Sequence, residues 1–428
     1  MIRRAACAAL ACLLLTVSLC ACSNPKEFSG DEKISAKYSR DKSAFDKTYN
    51  FADGAEDPPA GYNSYSLSAG ELSMKLFSGF AAEKKSFAFS PMSAVLQLSM
   101  LSNAAGKDRQ NDIVRALGGT VTVNALNECS SYFKSRMEGV SKTGPEKGDW
   151  QQIKLSGALL TDESIEVKSS FLQTVSDYYG YDVFRFDFDG EYVSDKLDDY
   201  LEDFTEGSGV KLPQGRSLDA VSASEIKDSW LTPYADSDIT KGSFTGDGGT
   251  REVDFLRSAE SKLESDKAVG IVKYTAKNPL KLILVTTKDG ISFDDYLKSF
   301  DHSAYSELLG SVDITQKTTA LIPEFAVETD GKARALSGAL GSCGLAELFR
   351  DDAGFSALSY TTQAALGEMF EVPPRFKLNR SGVNADKEDT AESGVSAKTK
   401  DTVTFDRPFI FILADNETDL PVTMGVYR

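Results

Sequence analysis

Residues 86–117 read SFAFSPMSAVLQLSMLSNAAGKDRQNDIVRAL, and this stretch decides the fold class. Phe87 and Phe89 alternate with a small residue, as in a short strand. Ser90-Pro91 is typical of a helix start, because a Ser hydroxyl caps free backbone N–H groups and Pro fits the first turn. An apolar helix follows, and then an amphipathic helix that ends at Leu117. The succession predicts a domain that contains both strands and helices.

A further helix precedes this stretch. From Ser68 to Phe80 the apolar residues Leu72, Leu76 and Phe77 recur at helical spacing and share one face. No break in composition divides the chain beyond this helix, and 41% of all residues are apolar, which is enough for one large or two ordinary domains. We expect a single folded domain over residues 63–428.

The N-terminus carries an export signal. Arg3 and Arg4 precede an apolar run from Ala5 to Ala21, which is too short and wrongly flanked for a transmembrane helix. Residues 19–23 read LCACS, which resembles a bacterial lipobox in which the Cys22 thiol accepts lipid. An ordinary secretory signal cut near Cys22 is the alternative. Both predict a signal peptide over residues 1–22 and a protein outside the cytoplasm, anchored to the bacterial cell membrane or released.

Residues 23–62 are rich in Ser, Lys, Asp and Gly and poor in aliphatic side chains. Such a segment cannot bury enough apolar surface to fold alone. We therefore predict a flexible polar tether over this range.

Composition argues against several classes of function. The formal charge is −17, and nucleic acid binding needs a basic patch, so we expect no nucleic acid partner. Of six Cys, four lie in the signal region, which leaves Cys129 and Cys343 and excludes a disulfide framework. A single bridge between these two stays open beside the commoner state of isolated thiols.

The only histidine also argues against familiar catalysis. His302 follows Asp301, which we expect to cap a helix, and no catalytic partner lies near it in the sequence. The chain has no zinc-ligand spacing either. We predict no enzymatic activity, no cofactor and no metal, although a site built from carboxylates alone stays open.

Residues 86–117 resemble the serpin family, in which a strand ending in Phe-Ser-Pro-x-Ser, a buried helix and a Gly-containing helix start follow in this order. Similar signals occur in the family's order at Asp187-Phe188, Trp230, Thr240–Phe244, Leu321–Phe325, Leu345–Phe349 and Phe405–Phe411. The resemblance covers about Leu67 to Arg428. It implies an α+β fold in one domain, with a large mixed main sheet, smaller sheets, surrounding helices and an exposed reactive loop near the C-terminus.

One segment departs from the resemblance. Where serpins carry an apolar strand before the Trp, residues 222–230 read SASEIKDSW. This segment is too polar for a strand that is buried on both faces. We therefore expect an unusual main sheet near Trp230, which the resemblance places in the region where the sheet opens.

The stretch from Gly382 to Asp406 is the predicted functional loop, since a loop of about 25 residues in a compact domain is usually functional or disordered. The resemblance implies that it is bait for a protease. Cleavage frees its N-terminal half, which inserts into the main sheet and traps the acyl-linked protease. Counting from Gly382 places the scissile bond after Ser396, and counting back from Phe405 places it after Ala397. With the adjacent Lys398, these residues form one candidate cluster.

The hinge that must insert is unusually charged. It runs from Gly382 to Ala391 and reads GVNADKEDTA where serpins carry mostly small residues. Strand side chains alternate faces. One register sends inward Val383, Ala385, Lys387, Asp389 and Ala391, and the other sends inward Asn384, Asp386, Glu388, Thr390 and Glu392. Both registers bury charge, which is unfavourable by several kcal/mol unless the charges are paired.

Two functional hypotheses follow. The first is a monomeric, serpin-type suicide-substrate inhibitor of serine or cysteine endopeptidases at the cell surface, with a target protease as partner and a lipid anchor as its only membrane contact. The second is a non-inhibitory binding or structural lipoprotein with the serpin fold, which the charged hinge favours.

Overall fold

The computed structural model describes residues 33–40, 57–119, 121–139, 151–188, 217–276, 279–328, 332–350, 352, 354–360, 364–385 and 399–428. The helices in these residues are α1 (Tyr62–Ala81), α2 (Pro91–Leu101), α3 (Lys107–Leu117), α4 (Val123–Gly139), α5 (Ser169–Tyr178), α6 (Phe293–Lys298), α7 (His302–Gly310) and α8 (Ser337–Leu340). Among the described residues, no helix combines the length and the apolar character that crossing a membrane requires.

All seventeen strands of the described residues belong to two large sheets. In chain order the strands are β1 (Phe87–Phe89), β2 (Gln151–Asp162), β3 (Asp182–Phe186), β4 (Leu218–Ser229), β5 (Ile239–Gly246), β6 (Gly249–Glu264), β7 (Ala268–Tyr274), β8 (Leu280–Thr287), β9 (Asp313–Pro323), β10 (Phe325–Val327), β11 (Arg334–Ala335), β12 (Leu366–Val372), β13 (Phe376–Leu378), β14 (Gly382–Val383), β15 (Thr402–Thr404), β16 (Phe409–Asp415) and β17 (Pro421–Tyr427).

The N-terminal elements follow the sequence pattern. Ser90 caps α2, since its side chain accepts a hydrogen bond from the backbone N–H of Ser93, and Pro91 is the first helical residue. Every residue of α2 is buried, whereas α3 buries only Ile113 and Leu117. The strand, the buried helix and the amphipathic helix predicted from residues 86–117 are therefore confirmed.

The main sheet has eight strands, in the order β10-β13-β14-β4-β12-β11, and β2 joins β4 to β3. β12 runs parallel to β4, whereas β2 runs antiparallel to it. The sheet is mixed, as expected. Together with α1 and α2, the inner face of this sheet encloses the principal hydrophobic core. A smaller apolar cluster that includes Phe184 and Phe370 lies on part of the outer face.

The expectation that residues 222–230 are too polar for a buried strand is wrong. β4 spans Leu218–Ser229, and ten of its residues are buried. Ser222 Oγ donates to the carbonyl of Phe370 at 3.3 Å, whereas the buried Oγ atoms of Ser224 and Ser229 have no hydrogen-bond partner in the described residues. A small hydroxyl with a backbone acceptor beside it enters a sheet at little cost.

The other strands form one connected nine-stranded sheet, in the order β1-β17-β16-β8-β7-β6-β9-β15, with β5 also paired to β6. The smaller sheets that the resemblance implied are thus joined. The cause is the length of β6, whose 16 residues pair with β5 at one end, with β7 at the other, and with β9 along the middle.

Part of the predicted tether lies against the domain. Lys33 bridges to Phe184 of β3 and forms an ion pair with Asp182 at 2.7 Å. Ser35 is buried, and its Oγ accepts from the backbone N–H of Val183 at 3.0 Å. The flexible tether predicted over residues 23–62 is therefore corrected for residues 33–40, because the edge of β3 offers backbone partners to this segment.

Candidate functional site

The main sheet has a gap beside β4. β2 pairs with β4 on one edge up to Asp228. On the opposite edge, β12 accompanies β4 only as far as Val372 opposite Ala223. From Ser224 to Lys227 this edge pairs with no strand of the described chain. Its backbone groups face an opening, hereafter called the gap, which an added strand could fill.

The start of the predicted hinge occupies one end of the gap. In β14, Gly382 lies opposite Ser229 and Val383 lies opposite Asp228, and Val383 also pairs with Leu378 of β13. Val383 is fully buried. A Cβ atom on Gly382 would lie 1.9 Å from the carbonyl oxygen of Asp228, so only glycine fits here. The first two hinge residues are thus already part of the main sheet.

Asn384 turns the chain out of the sheet. Its φ of +50° is in the left-handed region, which Asn adopts more readily than most residues. Its Nδ2 donates to the carbonyl of Ile226 at 2.7 Å and to that of Arg375 at 2.9 Å, and its Oδ1 accepts from the N–H of Lys377 at 2.8 Å. The side chain therefore joins the two edges of the gap and satisfies backbone groups there.

Asn379 and Trp230 fix the turn before β14. Asn379 Oδ1 accepts from the backbone N–H groups of Ser381 at 2.9 Å and Gly382 at 3.0 Å, and its Nδ2 donates to the carbonyl of Ala385 at 3.2 Å. Trp230 donates through Nε1 to the carbonyl of Asn379 at 2.9 Å and through its backbone N–H to that of Ser381 at 3.0 Å. The buried Trp230 thus holds the turn from which the hinge begins.

Two prolines separate β12 from β13 on the far side of the gap. Met369 of β12 and Phe376 of β13 both pack into the principal core, although they are an odd number of residues apart. Because strand residues alternate faces, one extra residue must be accommodated between them, at Pro373-Pro374. Proline also has no N–H. This side of the gap therefore offers fewer donors than a regular strand.

A buried carboxyl lies on β12 near the gap. Glu371 is 1% exposed and is the parallel neighbour of Ser222 on β4. Its Oε1 accepts from the backbone N–H of Ser90 at the start of α2, whereas its Oε2 has no hydrogen-bond partner in the described residues and lies 3.9 Å from Arg334 Nη1. Burial raises the pKa of Glu371 to about 7, against the opposing effects of Arg334 and Ser90.

The other end of the loop is attached to the second sheet. β15 runs parallel to β9, with Thr402 opposite Thr319. Asp401 forms an ion pair with Lys262 at 2.7 Å and accepts from Thr318 Oγ1 at 2.6 Å, and these contacts hold the pKa of Asp401 below its ordinary value. The loop therefore connects two fixed points on different sheets.

Several predicted site residues lie outside the described residues, and these are Cys22, Lys387, Asp389, Ser396, Ala397 and Lys398. The structure brings the other four, Gly382, Val383, Ala385 and Trp230, together at the end of β4. Asn379, Asn384 and Glu371 were not predicted as site residues from the sequence. The Asn residues flanking Gly382 were a usable signal, because Asn favours turns. Glu371 carried no signal, since its burial depends on partners far away in the chain.

The other residues that the sequence singled out are Asp301, His302, Cys129 and Cys343. Asp301 Oδ1 accepts from the N–H of Ala304 at 3.0 Å, which confirms the predicted helix cap, and His302 lies at the start of α7 near Gly70. Cys129 and Cys343 are free, so the bridge that the sequence left open is not formed. Within the described ranges, no group of three or more His, Cys, Asp or Glu side chains is arranged to hold a metal ion.

Comparison with known proteins identifies the family. The sequence model described as Serpin (serine protease inhibitor) matches residues 68–428, so the chain belongs to the serpin family. The alpha-1-antiproteinase of Rattus norvegicus is 21% identical over 79% of this chain and 82% of its own length. The corticosteroid-binding globulin of Oryctolagus cuniculus is 23% identical over 81% of this chain and 90% of its own length.

The fold agrees with this assignment. The crystal structure of the thermophilic serpin tengpin in the native state superimposes with a TM-score of 0.74, at 24% identity, over 88% of this chain and 98% of that one. Its structure in the latent state gives a TM-score of 0.68. The relatives thus include proteins named for protease inhibition and a protein named for binding a corticosteroid.

Proposed function

We propose that this serpin is a suicide-substrate inhibitor of serine or cysteine endopeptidases. The observation that carries the proposal is the position of Gly382 and Val383, which pair with β4 and β13 at one end of the gap. A strand that enters from this end already has its first residues in register. The gap, the hinge and both attachments of the loop lie in one chain, which is consistent with action as a monomer.

The register of β14 supports this function. Continued along β4 in an inserted strand, this register would bring residues 384–393 opposite Lys227 to Leu218, the far end of β4. The candidate cluster Ser396, Ala397 and Lys398 would then lie just beyond that end. A protease held at the cleaved bond would be carried along the whole length of the main sheet, as trapping requires.

The test is covalent capture. The purified protein is incubated with a panel of serine and cysteine proteases, and we expect an SDS-stable adduct with at least one of them. Val383→Arg should abolish the adduct but not cleavage, because it places a charge at a fully buried position, whereas the matched Val383→Thr should retain the adduct. Clean cleavage near Ser396 to Lys398 without any adduct, and without a gain in thermal stability, would contradict the proposal.

A second candidate is a non-inhibitory binding or structural protein. Val383 lies in the principal core, and alternation puts Ala385, Lys387, Asp389 and Ala391 on the same inward face of an inserted strand. The structure of β14 thus favours the register that buries Lys387 and Asp389. Slow insertion would let the protease complete hydrolysis. In that case every protease of the panel gives cleavage alone.

We also propose that the protein is attached to the bacterial cell membrane by lipid on Cys22, after removal of the signal peptide. The support is the lipobox-like sequence of residues 19–23. Expression of the full chain with an alkyne-labelled fatty acid should label the wild type and Cys20→Ala but not Cys22→Ala. Equal labelling of both variants, or none in the wild type, would contradict the anchor.

A further inference from the structure

A pocket of about 260 Å³ lies where the segment after β4 meets β6, β7 and β9. Leu231, which is 61% exposed, forms part of its rim, and the buried Tyr234 and the half-buried Tyr274 form part of its wall. Ligand sites in proteins combine apolar walls of this kind with a few polar groups. The pocket has the size and lining for a small organic molecule.

A buried lysine lies at the base of the pocket. Lys273 is 2% exposed, and its Nζ donates to Glu260 Oε1 at 3.0 Å and to the carbonyl of Thr232 at 3.2 Å. The same Nζ lies 4.4 Å from the centre of the Tyr234 ring. Burial alone would lower the pKa of Lys273, but Glu260 and Tyr234 outweigh it and keep the ammonium charged. Lys273 and Glu260 therefore neutralise each other.

Two further cations line the pocket. Arg257 is exposed and forms no ion pair with any residue that the structure describes. Lys317 is half-buried, and its Nζ donates to Ser261 Oγ at 2.9 Å; it pairs with no acid of the described ranges. One acid remains in the lining, Asp238, whose Oδ2 accepts from the backbone N–H of Ala235 at 3.1 Å. The pocket is thus locally basic in a chain of charge −17.

The wall of the pocket is connected to the start of the hinge. The backbone N–H of Tyr234 donates to the carbonyl of Arg380 at 3.2 Å. Lys273 Nζ lies 5.2 Å from the ring of Trp230, which holds Asn379 and Ser381. A molecule in the pocket would therefore contact Tyr234 and Lys273, which in turn contact Arg380 and Trp230 beside the turn before β14.

We propose that this pocket binds a small amphipathic carboxylate. The carboxylate lies between Arg257 and Lys317, and the apolar body packs against Leu231, Tyr234 and Tyr274. The two cations supply the charge that an anion needs, while the paired Lys273 and Glu260 keep the base of the pocket neutral. The binding site stands independently of protease inhibition; only an effect of the ligand on the hinge would rest on the proposed function.

The test is calorimetric titration of the intact protein, without protease, using 1-naphthoate and the neutral 1-naphthamide as probes. We expect saturable binding of one 1-naphthoate per chain and much weaker binding of the amide. Arg257→Gln/Lys317→Gln should weaken 1-naphthoate by about tenfold, the loss expected for two partly exposed ion pairs. Arg115→Gln/Lys298→Gln removes the same charge from exposed positions elsewhere and should bind normally.

A second variant and an unfolding measurement distinguish loss of the binding site from misfolding. Leu231→Ser changes only the exposed rim and should weaken both probes. Thermal unfolding without ligand checks that each variant is folded. The site is disproved by an absence of saturable 1-naphthoate binding, by equal affinity for the amide, or by affinities that are the same in the pocket variant and in its charge-matched control.

Discussion

Asn384 Nδ2 lies 2.7 Å from the carbonyl oxygen of Ile226, across the gap in the main sheet. A side chain here satisfies a backbone group that an inserted strand would otherwise satisfy. Three hydrogen bonds of this side chain must break before residue 384 can extend along β4. Asn384 therefore stabilises the state in which only Gly382 and Val383 belong to the sheet.

The first prediction concerns this residue. Asn384→Gly keeps the left-handed backbone but loses the side chain, so the free energy of unfolding should fall by about 1–2 kcal/mol. Spontaneous conversion to a loop-inserted form should become faster, as followed by native electrophoresis and by a rise in thermal stability on incubation. Asn384→Asp replaces the donor Nδ2 by a carboxylate oxygen that faces the carbonyls of Ile226 and Arg375, so it should destabilise this turn at least as much as Asn384→Gly. Wild-type behaviour of both variants would show that these hydrogen bonds do not restrain the hinge.

The second prediction concerns the prolines at the far side of the gap. Pro373→Val/Pro374→Thr restores N–H donors next to an inserted strand. Cleavage of the loop should then raise the thermal unfolding temperature more in this variant than in the wild type. Pro59→Val, outside both sheets, is the control and should leave that difference unchanged. An equal rise in all three proteins would mean that the prolines do not limit insertion.

The helices and strands around residues 86–117 could be predicted from the sequence, whereas the gap in the main sheet could not. Ser90, Pro91 and the apolar residues of α2 act locally, so capping and periodicity were sufficient to place them. The sequence of β4 looked too polar for a buried strand because the hydrogen-bond partner of a side chain such as Ser222, the carbonyl of Phe370, lies far away in the chain. The positions of Val383 and Glu371 depend on such long-range pairings as well, and sequence patterning alone does not determine them.

The third prediction concerns pH. The pKa of Glu371 is about 7 in the folded protein, against an ordinary value of 4.5, so the folded state binds its proton more tightly than the unfolded state. The contribution of Glu371 to the free energy of unfolding therefore decreases as pH rises from about 4.5 to about 7 and is constant at higher pH. Urea unfolding at about pH 5 and about pH 8 should show a smaller difference for Glu371→Gln than for the wild type.

Glu83→Gln, which changes a half-exposed side chain, should leave this pH dependence as it is in the wild type. If Glu371→Gln also leaves it unchanged, Glu371 is ionised in the folded protein at both pH values, and Arg334 is its effective partner.

The last prediction concerns the inward charges of the hinge, and it rests on the proposed inhibitory function. The register of β14 would bring Lys387 opposite Ser224 and Asp389 opposite Ser222. Ser222 is at present the neighbour of Glu371, so insertion would place two carboxyl groups close together on the buried face. Two carboxylates that are close together and removed from water repel each other strongly.

Asp389→Ala should therefore increase the fraction of protease captured as an SDS-stable adduct, because Lys387 then faces Glu371 alone. Lys387→Ala should give no gain, since it leaves both carboxyl groups without a cation, and the double variant should lie between the two single variants. The gain from Asp389→Ala should shrink as pH falls below about 7, where Glu371 becomes neutral. Glu388→Ala, on the outward face, is the matched control, and an equal gain from it would show that loop charge, and not the inward register, limits capture.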